Sequence, residues 1–286
     1  MFKYRVIGFT LLMALLFGIF FWDFGGTLLF LTTAPAFAAV AIYECCRMLK
    51  GAGKDNYPIL TAVIFYIAAM AWCLFMNSGR YCGYAGAMIL LALVFLVPLA
   101  CGISLFSKQD TMLRKVLTSM GILVVFAPSL IFFCGTYFYG FNDAPRGAWL
   151  LFLCLATKAT DTGGYIVGTL TSKLPGGNHK IAPSLSPKKS WEGLFGGVLL
   201  SLLVGWLFFR YAGYASLWWY LAVSLVLALG SFAGDLAESA VKRMCNIKDS
   251  GNWVPGMGGA FDVLDSFIFN GSTFALFVFL NATGII

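Results

Sequence analysis

The chain has 286 residues, of which 60% are hydrophobic, 17% aromatic and only 11% charged, and its formal net charge is +7. A soluble domain carries roughly 25% charged residues, so a large soluble core is excluded in favour of an integral membrane protein. The single histidine, His179, and the absence of any Cys-x-x-Cys pair among the 8 cysteines argue against a zinc site and against a disulfide framework. Cys73, Cys101, Cys134 and Cys154 sit inside apolar runs and read as reduced, packed thiols.

Apolar runs long enough to cross a bilayer recur along the sequence. They predict nine spans near 6–22, 27–46, 58–76, 83–106, 117–140, 147–170, 193–212, 216–238 and 263–283, an all-α fold in one polytopic domain. The first follows Lys3 and Arg5 like a signal peptide, but its apolar stretch exceeds a typical signal core, so it reads as a retained helix. Of the 19 Lys and Arg residues, 15 fall on one set of ends and loops, Arg80, Arg146 and Arg210 fall on the other, and Lys158 lies within a span. That asymmetry places the N-terminus in the cytoplasm and the C-terminus outside, and it makes the net charge a topology signal with no nucleic-acid motif behind it. The N-terminal part, 1–156, holds five of the 12 acidic residues and the part from 157 to 286 holds seven. The two longest internal loops, about 171–192 and 239–262, fall on the cytoplasmic side, where a helical scaffold carries its function.

Four clusters stand out in chain order. Lys158 and Asp161 lie inside an apolar run, where charges are expensive and face a cavity or each other; Gly163 and Gly164 behind them permit close backbone approach. The pair also reads as a simple lock on helix packing. Next, Ser186-Pro-Lys188-Lys189-Ser190 presents two ammonium groups suited to phosphate, and Ser190 with Gly193 can open the following helix, whose N-terminal amides favour anions. An ordinary basic loop on lipid headgroups explains the same residues.

Asp235, Ser239 and Lys242 share one helical stripe and can hold a metal and a phosphate together, or merely pair charges where a helix leaves the membrane. Finally, Pro255-Gly-Met-Gly258-Gly259 makes a turn rich in exposed amides, after which Asp262 and Asp265 open the last span. One of these aspartates is easily a cap. Two beside a glycine turn suit Mg²⁺, which is held by one or two carboxylates together with phosphate and water.

The run Ser239-x-x-Lys242-Arg243-x4-Lys248-Asp249-x-Gly251-x3-Pro255-Gly256-Met257-Gly258-Gly259-x-x-Asp262-Val263-x-Asp265 resembles the signature of phosphatidate cytidylyltransferases, the CDP-diacylglycerol synthases. Asp161-Thr-Gly-Gly-Tyr165 and Ser186-Pro-Lys-Lys-Ser-Trp-Glu-Gly193 resemble the family's other blocks, in the family's order. The chain departs from the pattern at Met257, where the family has histidine, and at Val263, where it has arginine. The resemblance implies Mg²⁺-dependent transfer of a cytidylyl group from CTP to phosphatidate, giving CDP-diacylglycerol and pyrophosphate for phospholipid synthesis.

By the same resemblance, Asp235 and Asp262 are the metal ligands and Asp265 supports them. Lys188, Lys189, Lys242, Arg243 and Lys248 grip the triphosphate or the lipid phosphate, and Asp161 orients a ligand or second cation. Ser186, Ser239, Asp249, Gly258 and Gly259 complete the substrate-binding set. The implied partners are CTP, phosphatidate and the lipid bilayer of the cell's inner membrane, with the active site facing the cytoplasm and no nucleic acid; a monovalent second cation and a homodimer stay open. Rival readings are a CTP-dependent polyprenol kinase or isoprenoid-lipid cytidylyltransferase, a cation transporter using the intramembrane aspartates, and a catalytically silent family member.

Overall fold

A computed structural model describes residues 2–22, 25–77, 111–140, 143–183, 185–254 and 258–282. The described chain is mostly helical, in the order α1 (Phe2–Phe21), α2 (Gly25–Gly51), α3 (Pro58–Asn77), α4 (Thr111–Thr136), α5 (Ala148–Thr171), β1 (Lys180–Ala182), β2 (Ser186–Ser190), α6 (Trp191–Tyr211), α7 (Leu217–Met244), α8 (Ala260–Leu264) and α9 (Phe267–Ala282). Among the described residues six segments are long and apolar enough to cross a membrane: Gly25–Gly51, Pro58–Asn77, Arg114–Thr136, Trp191–Tyr211, Leu217–Met244 and Ala260–Val278. The expected span at 83–106 lies outside the described residues.

Two expectations change. The all-α reading acquires a small antiparallel hairpin, with Lys180 opposite Ser190 and Ala182 opposite Ser186. The last span is not one helix, because α8 ends at Leu264 and α9 begins at Phe267. The Asp265 carboxylate takes the backbone N–H of Ser266 at 2.5 Å, offering that amide a side-chain partner in place of a helical carbonyl.

Two compact units make up the chain, residues 1–135 with 242–264 and residues 136–241 with 265–286. In the first, α2 and α3 form a helical hairpin closed by Asn56, whose side-chain amide donates to the carbonyls of Cys46 and Lys54, both at 2.9 Å. The Tyr57 N–H donates to Ser119 Oγ on α4 at 3.0 Å, tying that helix to the same turn. An edge-to-face contact between Phe126 and Phe261, ring centres 5.5 Å apart, joins α4 to α8.

The second unit is built on a glycine contact between α5 and α6. A Cβ at Gly197 would meet the Thr160 carbonyl oxygen at 2.7 Å, and one at Gly193 would meet the Gly164 carbonyl oxygen at 3.0 Å. Where both phases are apolar, helices associate through such close backbone packing, which only small residues permit. Toward its other end the unit holds an aromatic core. Trp149 and Phe152 of α5 pack on Trp219 and Tyr220 of α7 and on Phe274 of α9, with ring centres between 5.1 and 6.5 Å. The buried Asn270 of α9 donates to Thr157 Oγ1 at 2.9 Å and to the Leu227 carbonyl at 3.0 Å.

The six described cysteines are unbridged, with Cys73 and Cys134 buried and Cys154 half-buried; Cys101 lies outside the described residues. Replacing Gly197 by valine forces α5 and α6 apart and is expected to cost about 1–3 kcal/mol, read as a fall in the unfolding midpoint of the detergent-solubilised protein. An unchanged midpoint would mean that the two helices do not depend on this contact.

Candidate active site

The second unit gathers three carboxylates and two ammonium groups into one chain of contacts. Lys158 and Asp161 stand three residues apart on α5, one helical turn, and Nζ meets Oδ2 at 3.1 Å. The same Nζ lies 3.4 Å from Ser266 Oγ and 3.9 Å from Asp265 Oδ1. Ser231 of α7 donates to Asp161 Oδ1 at 3.0 Å. One turn further along α7, Asp235 receives Lys189 Nζ at 3.0 Å on Oδ2, while its Oδ1 lies 3.1 Å from Ser266 Oγ. Ser266 Oγ is also 2.9 Å from Asp265 Oδ1, so the single hydroxyl proton serves one of the two carboxylates at a time. With the carboxylates ionised, Asp161, Asp235 and Asp265 against Lys158 and Lys189 leave one net negative charge. Unpaired, any of these charges would be costly in an apolar helical setting.

The hairpin delivers the lysine. β2 alternates faces, so Lys188 is exposed while Lys189 is half-buried and turns toward α7. There its ammonium also lies 4.6 Å from the centre of the Phe232 ring and 3.3 Å from the Phe232 carbonyl oxygen. Ser190 then caps α6, accepting the Gly193 N–H at 3.1 Å as its spacing predicts. Asn178 ties the hairpin to the end of α5 through the Gly168 carbonyl at 2.8 Å. His179 lies in an exposed contact with Glu192, Nδ1 to Oε1 at 2.6 Å, and Ser186 sits half-buried at the start of β2.

The first unit holds Asp262. Its Oδ2 accepts the Gly259 N–H at 2.9 Å and the Ser250 N–H at 3.1 Å, and Oδ1 receives Lys242 Nζ at 3.3 Å. Asp262 is the third residue of α8 and reaches back to the amide just before the helix, the reciprocal half of a capping box. Gly258 has φ 102°, which L side chains rarely adopt. Val254 N–H donates to its carbonyl at 3.0 Å. Pro255, Gly256 and Met257 lie outside the described residues. Ser239 is half-buried on α7, and Arg243, Lys248 and Asp249 are exposed.

Sequence reasoning missed Glu44. This carboxylate lies in the apolar α2 and is 3% exposed, with Oε2 accepting the Phe261 N–H at 2.9 Å and Ser250 Oγ–H at 3.0 Å. Gly251 and Gly259 lie so close that a Cβ at either would strike it. Glu44 therefore fixes from behind the loop whose front holds Asp262. Its partners lie 206 and 217 residues away in sequence, beyond any local motif, and the only signal was an acid in a helix otherwise free of them.

A divalent cation is the group that the resemblance implies. The donors fit it in kind, since Asp161, Asp235 and Asp265 offer hard oxygens in one network. Among the described residues no three His, Cys, Asp or Glu side chains converge at coordination spacing; lysine ammonium groups meet Asp161 and Asp235 instead. Glu44→Ala strands the Phe261 amide and the Ser250 hydroxyl and is expected to destabilise the fold by about 2–4 kcal/mol. Glu44→Gln keeps the shape and one acceptor and should lose less. Thermal unfolding in detergent checks the order, and equal losses would contradict it.

These geometries can be set beside known proteins. A 135-residue stretch, 46% of this chain, is 40% identical to the phosphatidate cytidylyltransferase of Staphylococcus epidermidis and covers 50% of it. The enzymes of the same name from Staphylococcus saprophyticus and Staphylococcus aureus are 40% and 39% identical over 122 residues, 42% of this chain and 45% of each relative. The aligned part thus spans about half the length of these relatives. The sequence profile of the cytidylyltransferase family matches residues 3–281, nearly the whole chain, and the chain belongs to that family.

Proposed function

We propose that the protein is a multi-pass phosphatidate cytidylyltransferase of the cell's inner membrane, with its active site on the cytoplasmic side. The observation that carries this reading is the network Lys189–Asp235–Ser266–Asp265–Lys158–Asp161. It sets ammonium groups suited to phosphate against metal-type carboxylates among apolar helices. Relatives that bear the activity's name, matched over half their length, support the same reading.

In the proposed reaction an oxygen of the phosphatidate phosphate attacks the α-phosphorus of CTP in line. The new P–O bond forms as the bond from the α-phosphorus to the bridging oxygen breaks, and the electron pair leaves with pyrophosphate. The attacking oxygen is already anionic near neutral pH, so no side chain has to remove a proton; methionine, which can neither donate a hydrogen bond nor take up a proton, is tolerable at position 257. Lys189, half-buried and held by Asp235, is poised to exchange its carboxylate for a phosphate oxygen. Lys188, exposed on the other face of β2, reaches phosphate from solvent.

Asp235 would ligate Mg²⁺ with Asp161 and Asp265 beside it, and the same role is proposed for Asp262. When bound, such an ion supplies neutralisation of charge on the leaving pyrophosphate. Lys158, in contact with both, holds Asp161 and Asp265 in place in the meantime.

The test uses purified protein in detergent with phosphatidate, Mg²⁺ and CTP labelled at the α- or the γ-phosphate. α-Label is expected in the lipid phase, at a rate lowered at least about 100-fold in Asp235→Asn and in Asp262→Asn and abolished by a chelator. γ-Label in the lipid would overturn the reading in favour of a kinase, and no label from folded parent protein would reject transfer to this lipid.

A further inference from the structure

Between α2 and α3 of the first unit runs an open groove that the reaction as described does not use. One end, about 440 Å³, is lined by Tyr43, Arg47 and Lys50 together with the start of α3. Sharing Tyr43 and Ile59, the groove continues into a stretch of about 360 Å³ walled by Val40, Ala62, Val63, Tyr66 and Trp253. On α2 the wall is one stripe, since Ala36, Ala39, Val40, Tyr43, Arg47 and Lys50 recur at steps of three and four. From Ala36 to Lys50 is 14 residues, about 21 Å along the helix at 1.5 Å each. The stripe changes character along that length, from alanine and valine through a tyrosine to two cations.

We propose that this groove binds the substrate phosphatidate, its phosphate at Arg47 and Lys50 and one acyl chain along the small-residue wall. The assignment rests on the cytidylyltransferase reading for the identity of the lipid and on the groove itself for the place. Three observations favour a phosphomonoester lipid. Arg47 and Lys50 are exposed, and among the described residues no carboxylate lies within ion-pair distance of either. A guanidinium fork and an ammonium one helical turn apart match a phosphate monoester, which carries close to two negative charges at neutral pH, better than a diester with one.

Second, the remainder of the groove offers almost no polar lining to a headgroup larger than phosphate, while Tyr43 stands at the join between its charged and apolar parts. Third, Trp253 belongs to the same short loop as Ser250, whose N–H holds Asp262. One wall of the groove and one proposed metal ligand are therefore positioned by a single segment, which ties this groove to the substrate lipid rather than to a bystander of the bilayer.

The experiment places the full-length protein in phosphatidylcholine nanodiscs with phosphatidate carrying a diazirine on one acyl chain, and maps the photolabel by mass spectrometry. Label is expected on peptides covering 36–43 and 59–66, displaced by unlabelled phosphatidate but not by equimolar phosphatidylglycerol. Arg47→Gln with Lys50→Gln should cut that label by roughly tenfold or more and raise the apparent KM for phosphatidate by a similar factor, leaving the KM for CTP within about twofold. Both side chains are exposed, so the fold should survive, and the unfolding midpoint checks it.

Val40→Trp, which fills the apolar part, should remove the label with the cations intact. Equal displacement by phosphatidylglycerol, or label indifferent to all three substitutions, would overturn the groove. Failure of the parent to transfer cytidylyl while selective labelling persists would overturn the reaction and leave the groove standing, so the two readings fail separately.

Discussion

An ionised group beside hydrocarbon is stable only when its charge is answered at contact distance, and the polar architecture of this chain follows from that requirement. Asp161, Asp235 and Asp265 each meet an ammonium group within 3.9 Å, and Asp262 meets one at 3.3 Å. Glu44 is the instructive exception, because it is answered by an amide and a hydroxyl rather than a cation. Buried hydrogen-bonded carboxylates of this kind organise backbone, whereas those facing ammonium groups can trade partners. The chain thus carries acids answered by hydrogen bonds alone and acids that face a cation, Asp262 among the latter although it also accepts two backbone amides. In the proposed reaction only the second sort is exchangeable and handles ligands.

Helix α7 shows how the exchangeable acids are arranged. By spacing, Asp235 and Lys242 lie on one stripe, which suggests that they act as a pair. Instead each finds its counter-charge elsewhere, Asp235 in Lys189 of the hairpin and Lys242 in Asp262. A helix carries residues four and seven apart to one face, but the partner across that face is set by whatever element packs there. Periodicity therefore identified the polar stripe and could not identify its pairings. The same limit hid Glu44, whose role becomes visible only once residues more than 200 positions away are folded against it.

What was legible was local. The Lys158–Asp161 pair, the Ser190 cap and the room for close approach at Gly163 and Gly164 each depend on residues within about one turn or on the absence of a side chain. All three were readable from spacing, whereas α6 as the helix that approaches was not. The hairpin was not, because Ser-Pro-Lys-Lys has the composition of a turn and becomes a strand only by pairing with Lys180–Ala182. Nor was the break between α8 and α9, since apolarity runs on through residues 260–278 while the Asp265 side chain diverts one amide. The resemblance to a known signature carried the functional reading further than periodicity could, because it ties together residues that no helical repeat relates.

The glycines and the ions also belong to one argument. Gly163, Gly193 and Gly197 bring α5 and α6 to backbone contact, and that contact places the Ser190 cap, with the lysine before it, beside the last turns of α5. Lys189 leaves β2 one residue before the cap, so the point at which α6 starts sets where its ammonium group can reach. A wider helix separation would carry the hairpin outward, and Asp235 would lose the partner that makes its burial tolerable. In this unit close packing is a condition for holding the charges, which is why a methyl-sized change at a glycine remote from any phosphate bears on the chemistry proposed for the site.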